Sequence, residues 1–128
     1  FDEQTLSPNA VLDGIGLTNV RTAAVSLVAL RVIAEPKSSR LLIFGAGPQA
    51  RTHALSIAEE WPITRIDICA TTSASAKVLA DDLHSHFASL ARPIEVAVAS
   101  DRDKAAVHAA IIVCAFAYAG GFDPKRHG

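Results

Sequence analysis

Hydrophobic positions change their spacing three times along the chain, and each change predicts an element. From Thr18 to about Ala34, Val20, Ala23, Ala24, Leu27, Val28 and Leu30 recur at helical intervals, with Thr18 or Asn19 as the expected cap. Pro36-Lys37-Ser38-Ser39 then interrupts the pattern. Three strand–helix alternations follow. Leu41-Leu42-Ile43-Phe44 is a continuous apolar run, with a helix from about Pro48 to Glu60, closed by Trp61-Pro62. Ile66-Asp67-Ile68-Cys69-Ala70 is the second run, and Ser73 is placed to cap a helix through about Leu90. Ile94-Glu95-Val96-Ala97 is the third, with a short helix near Asp101 to His108, and Ala110-Ile111-Ile112-Val113-Cys114 is the fourth. Continuous apolar strands alternating with helices predict a parallel sheet covered on both faces. Ahead of all this, Ser7-Pro8-Asn9 and Ala10-Val11-Leu12-Asp13-Gly14 read as a short strand ending in an Asp-Gly turn.

Composition narrows the classes. A chain of 128 residues, half of them apolar, is one domain's worth of core. Twelve basic against thirteen acidic residues leave a charge of −1 with no run of either sign. That argues against a nucleic-acid surface and against a polybasic membrane patch. No fully apolar stretch reaches the ~20 residues of a spanning helix. Phe1-Asp2-Glu3 is acidic where a secretory signal is basic. Cys69 and Cys114 sit in apolar segments and are expected to be buried thiols in a reducing, cytoplasmic setting. The chain starts at Phe1, contains no Met and ends in a stretch without periodicity, so it is expected to be part of a larger protein.

The candidate chemistry sits in one loop. Gly45-Ala46-Gly47-Pro48-Gln49-Ala50 follows a strand and opens a helix, giving G-x-G-x-x-A. Gly45 permits the tight turn, Gly47 lets backbone approach a pyrophosphate, and Ala50 allows helix and strand to pack closely. The helix N-terminus offers free N–H groups and partial positive charge. The alternative is a glycine turn needed only for packing. At the end of the second strand, where an acid would hold the 2′-hydroxyl of NAD, stand Ala70-Thr71-Thr72-Ser73. These small hydroxyl residues suit NADP(H) slightly better than NAD(H), although no arginine stands beside them in sequence. Asp67 comes too early for that role and reads as a paired or edge residue. The five histidines offer no metal-ligand spacing: His84 and His86 fall on different sides of a helix, and His53, His108 and His127 have no partners.

Leu17-Thr18-Asn19-Val20-Arg21-Thr22-Ala23-Ala24, followed after a helix by Leu42-Ile43-Phe44-Gly45-Ala46-Gly47-Pro48-Gln49-Ala50, resembles the ornithine cyclodeaminase/μ-crystallin family. The resemblance covers about residues 1 to 115. It implies a Rossmann-type α/β domain over 18–115, incomplete, preceded by a remnant (1–17) of a substrate and dimerisation domain and followed by an irregular tail (116–128). By position, it implies that Arg21 meets a substrate carboxylate near the nicotinamide and that Thr22 lies beside the cofactor phosphates. It further implies that Pro48 and Gln49 form the pyrophosphate loop and that Ala70 replaces the ribose-binding aspartate. Taken alone, Arg21 reads first as a solvated or phosphate-neutralising surface arginine and only second as a carboxylate anchor. The family's lysine and catalytic aspartate fall outside the chain, so no catalytic residue is expected within it. The fourth strand, Ala109 to Ala115 and then Phe116-Ala117-Tyr118, departs from the family's "ADIV" pattern.

The resemblance implies an NAD(P)-dependent enzyme acting on a small amino or cyclic imino acid. The reaction would be ketimine reduction, such as pyrroline-2-carboxylate to proline, or ornithine cyclodeamination to proline. The full-length parent is expected to be a homodimer. A non-catalytic dinucleotide-binding protein is the alternative, and a Rossmann-like domain of another oxidoreductase is a third.

Overall fold

The computed structural model describes residues 1–90 and 92–116. In chain order the elements are α1 (Gly14–Ile33), β1 (Arg40–Phe44), α2 (Pro48–Glu60), β2 (Arg65–Cys69), α3 (Ser73–Ser89), β3 (Glu95–Val98), α4 (Arg102–His108) and β4 (Ile111–Cys114). The four strands form one parallel sheet in the order β3-β2-β1-β4. The alternation read from the sequence is thus the architecture, with strand boundaries shifted by a residue or so.

Register decides what is buried. Leu41 and Ile43 of β1 lie opposite Ile66 and Ile68 of β2, and these four side chains meet Ala54, Ile57, Leu79 and Leu83 from α2 and α3 in the main core. The intervening position pairs Leu42 with Asp67 on the other face of the sheet, where α4 packs. Asp67 is buried and held by Arg65, whose Nε donates to both carboxylate oxygens at 3.0 Å. It is a paired residue, as its early position in the strand suggested.

The N-terminal expectations are corrected. Residues 1–13 contain no strand, because no described strand pairs with them and residues 3–12 are exposed. Asp13 does not close a turn. It caps α1, its carboxylate accepting from the backbone N–H groups of Ile15 (3.0 Å) and Gly16 (3.1 Å). The cap therefore lies five residues before Thr18 and six before Asn19, the caps expected. Thr72, not Ser73, caps α3, accepting from the Ser75 N–H. Of the apolar positions read along α1, only Ala23, Leu27 and Leu30 pack inward; Val20, Ala24 and Val28 are exposed. By length and composition α1 is long and apolar enough to cross a membrane (mean hydropathy 1.3), although Arg21 and Arg31 interrupt it. The cysteine expectation is corrected too: Cys69 is half-buried and Cys114 exposed, because each ends its strand at the open edge of the core. The expected tail, 116–128, lies outside the described residues except for Phe116.

Candidate functional site

The strand order reverses direction between β1 and β4, so the chain leaves the C-terminal end of β1 toward β2 on one side while β4 returns on the other. A crevice forms at such a switch point, outside the carboxyl ends of the strands. The glycine loop sits in it. Gly45 has φ +119°, a left-handed conformation, and a Cβ there would run into the Ala115 carbonyl of the strand beside it. Glycine at 45 is thus demanded by the fold itself.

Gly47 differs. It is the N-cap of α2 with φ −90° and ψ −175°, backbone that any residue adopts, and a Cβ there would meet nothing within 4 Å among the described residues. Neither conformation nor packing requires glycine at 47. What a side chain would take is open space over the start of α2. No side chain caps this helix, Pro48 occupies its first turn, and the first backbone bond runs from the Arg51 N–H to the Gly47 carbonyl at 3.1 Å. The N–H groups of Gln49 and Ala50 precede that bond and face the same end.

Three openings surround the loop. Gly45 shares a groove of about 240 Å³ with Phe44, Cys69, Ala70, Thr71, Arg102 and Phe116. Ala46, Gly47 and Pro48 line a second, of about 350 Å³, with Arg51 and Asp82, which pair at 2.7 Å across α2 and α3. Thr22 and Gln49 line the third, about 540 Å³, with Ser26, His53 and residues 112–116. Gln49 reaches α1: its Nε2 donates to Asn19 Oδ1 at 3.0 Å, with the Thr18 carbonyl at 3.4 Å. Since a carbonyl only accepts, this fixes which end of the amide is the donor. The Gln49 Oε1 is left buried with no partner among the described residues, an acceptor awaiting a donor.

The structure thus brings Gly45, Ala46, Gly47, Pro48, Gln49, Ala70, Thr71 and Thr22 around one end of the sheet. Thr72 is spent on capping α3, and the Thr22 hydroxyl donates to the Thr18 carbonyl at 2.8 Å. Arg21 stands apart: it is exposed on α1, lines none of the three openings, and makes no ion pair among the described residues. Two residues are new. His53 is buried between α1 and α2, and Arg102 faces Ala70 and Thr71. Neither carries a local sequence signal, since each reaches the site through another element. No cluster of three metal-ligating side chains occurs among the described residues.

A parallel sheet with a glycine loop at its switch point defines a Rossmann-type domain. The particular family follows from comparison: a profile of the ornithine cyclodeaminase/mu-crystallin family matches residues 1–119, and the chain belongs to that family. It is 35% identical over 96 residues to an L-lysine cyclodeaminase of Streptomyces rapamycinicus, covering 75% of this chain and 27% of that protein. It is 36% identical over 80 residues to the mouse (Mus musculus) ketimine reductase mu-crystallin, covering 62% and 26%. Among solved structures, the Δ1-pyrroline-2-carboxylate reductase of Thermococcus litoralis, in complex with NADH and L-proline, superposes with a TM-score of 0.80 at 27% identity, over 88% of this chain and 33% of that one. The chain spans about a quarter of the length of these curated relatives.

Proposed function

We propose that this chain is the dinucleotide-binding part of an NAD(P)-dependent enzyme that reduces a cyclic imino acid of the pyrroline-2-carboxylate type. One observation carries the cofactor assignment: Gly47 is a glycine that neither backbone nor packing needs, over a helix start with free N–H groups. A pyrophosphate fits that space, and it accounts for both glycines where a packing turn accounts only for Gly45. The residues present therefore suit the group.

In this assignment Gly45, Ala46, Gly47, Pro48 and Gln49 hold the pyrophosphate, Ala70, Thr71 and Thr72 border the adenine ribose, and Thr22 lies toward the phosphates. The bound nicotinamide supplies a hydride to the imine carbon. The chain's own contribution is placement. Arg21 is the substrate anchor, its planar fork suited to a carboxylate. The exposure of Arg21 and its lack of an ion pair among the described residues leave it free for that task. The absence of an acid at Ala70 tilts the cofactor toward NADP(H), and with it the reaction toward reduction.

Cyclodeamination of ornithine or lysine is the second reading, favoured by the likeness to a lysine cyclodeaminase over three-quarters of the chain. A protein that holds the dinucleotide without turnover is the third. The partition we propose is residues 1–17 as the end of a substrate and dimerisation domain, 18–115 as the cofactor domain and 116–128 as a tail. The parent is then a cytoplasmic homodimer that binds neither nucleic acid nor membrane.

Titration of the chain with NADPH and NADH, followed by nicotinamide fluorescence, tests the cofactor assignment; saturable binding of at least one is expected, and binding of neither defeats it. In the full-length parent, imine-dependent NADPH oxidation supports the reductase, whereas ammonia release from ornithine or lysine supports the cyclodeaminase.

A further inference from the structure

We propose that Arg102 recognises the 2′-phosphate of NADP(H) in this chain. The inference rests on the dinucleotide assignment of the crevice. With the pyrophosphate over Gly47, the adenosine half runs toward the end of β2, and its 2′ position falls beside Ala70 and Thr71. That groove, about 240 Å³, is lined by Phe44, Gly45, Cys69, Ala70, Thr71, Arg102 and Phe116. Among the described residues its charged side chain is Arg102, and no carboxylate lines it.

Topology explains how a residue thirty positions away arrives there. The Ala99 N–H donates to the Ile68 carbonyl at 2.8 Å, so β3 ends level with β2. The chain must then pass to the opposite face of the sheet to reach β4, and α4 begins its return at the top of the crevice. Its first residue is Arg102.

The guanidinium is available. Its ion pair is with Asp103, Nε to Oδ1 at 3.5 Å, between side chains 74% and 89% exposed, which binds weakly in water. The neighbouring Asp101 is turned the other way, its carboxylate accepting from the Asp103 and Lys104 N–H groups at 3.0 and 3.1 Å. A planar fork in the same groove as Thr71, with no acid lining it among the described residues, selects a phosphate dianion over a ribose hydroxyl.

The test measures NADPH and NADH dissociation constants for this chain and its Arg102→Ala and Arg102→Lys variants at low and moderate salt. Arg102→Ala is expected to weaken NADPH by about tenfold or more, the scale of a charge-assisted hydrogen bond, while NADH changes less than about twofold. Arg102→Lys is expected to fall between them, and the NADPH preference of the unmodified chain to shrink as salt rises. An Arg102→Ala protein whose NADPH-to-NADH ratio stays within about twofold of the original overturns the proposal, as does equal weakening of both cofactors. If the unmodified chain binds neither cofactor, the dinucleotide assignment itself fails and the proposal falls with it.

Discussion

The Nε2 of His53 on α2 lies 2.9 Å from the Ser26 hydroxyl on α1, in the seam between the two helices. The ring's other nitrogen, Nδ1, is 2.7 Å from the Gln49 carbonyl, which can only accept. Nδ1 therefore carries a proton, and in the neutral ring Nε2 shares the Ser26 hydroxyl proton with the Thr22 carbonyl, 3.2 Å from that hydroxyl. Gln49 with Asn19 above and Glu60 with Arg31 below (2.7 Å) complete three polar links along the same two helices. They run in the same order along both chains, so α1 and α2 lie parallel. The helix bearing Arg21 and Thr22 is thereby held against the one that follows the glycine loop.

Removing the ring tests that seam. His53→Ala is expected to destabilise the fold by about 2–4 kcal/mol, through the cavity left and the lost bonds. Ser26→Ala, which strands a buried ring nitrogen, should cost about 1–3 kcal/mol. Because both act on one contact, the double variant should be no worse than His53→Ala. Urea unfolding of the four proteins checks this, and strict additivity would contradict it.

The two loop glycines should separate. Gly47→Val adds a side chain to open space on permitted backbone but puts a poor residue at the N-cap of α2, so it should cost only about 0.5–1.5 kcal/mol while dinucleotide binding is lost. Gly45→Val meets positive φ and the Ala115 carbonyl together, and should cost about 3 kcal/mol or more in stability. Thermal melts alongside fluorescence titration distinguish the two; a folded Gly47→Val protein with unchanged affinity would falsify the cofactor assignment.

Cofactor choice should respond to Ala70. An aspartate there accepts from the ribose hydroxyls and repels a 2′-phosphate, so Ala70→Asp is expected to swing the preference toward NADH by about ten- to a hundredfold, roughly 1.5–3 kcal/mol. Paired dissociation constants at fixed salt provide the check. A starting preference for NADH of about tenfold, or an unchanged ratio in the variant, would count against it.

Acid should loosen the far end of the helix seam. The Arg31 guanidinium, hydrogen-bonded to Glu60, holds that carboxyl below the usual range. A depressed folded value means stability that is present above the unfolded value of about 4.3 and is lost as pH falls through the folded one. Arg31→Ala should therefore flatten the fall of the melting temperature between about pH 4.5 and 3 without changing cofactor affinity at neutral pH. An identical pH profile in the variant would show that the pair contributes nothing in solution.

The local sequence determined the elements whose signals are themselves local. Apolar runs four or five residues long between helical patterns marked the parallel strands, of which β1 and β2 are buried and β3 is not, and the G-x-G-x-x-A loop marked the crevice. Pro48 marked the start of α2 because a missing N–H costs nothing there. Asp13 misled, since an Asp-Gly pair serves a turn or a cap equally well, and only the absence of a neighbouring strand decided for the cap. Tertiary structure alone decided three things. It showed that Gly45 is pinned by Ala115, seventy residues on, whereas Gly47 is free. It buried His53 against Ser26, a contact set by how closely two helices approach. It carried Arg102 to the end of β2, where sequence showed no cation, because the crossing between β3 and β4 must pass over that end of the sheet. Short-range chemistry specifies helices, strands and turns, but which distant side chains share a groove depends on the order in which the strands assemble.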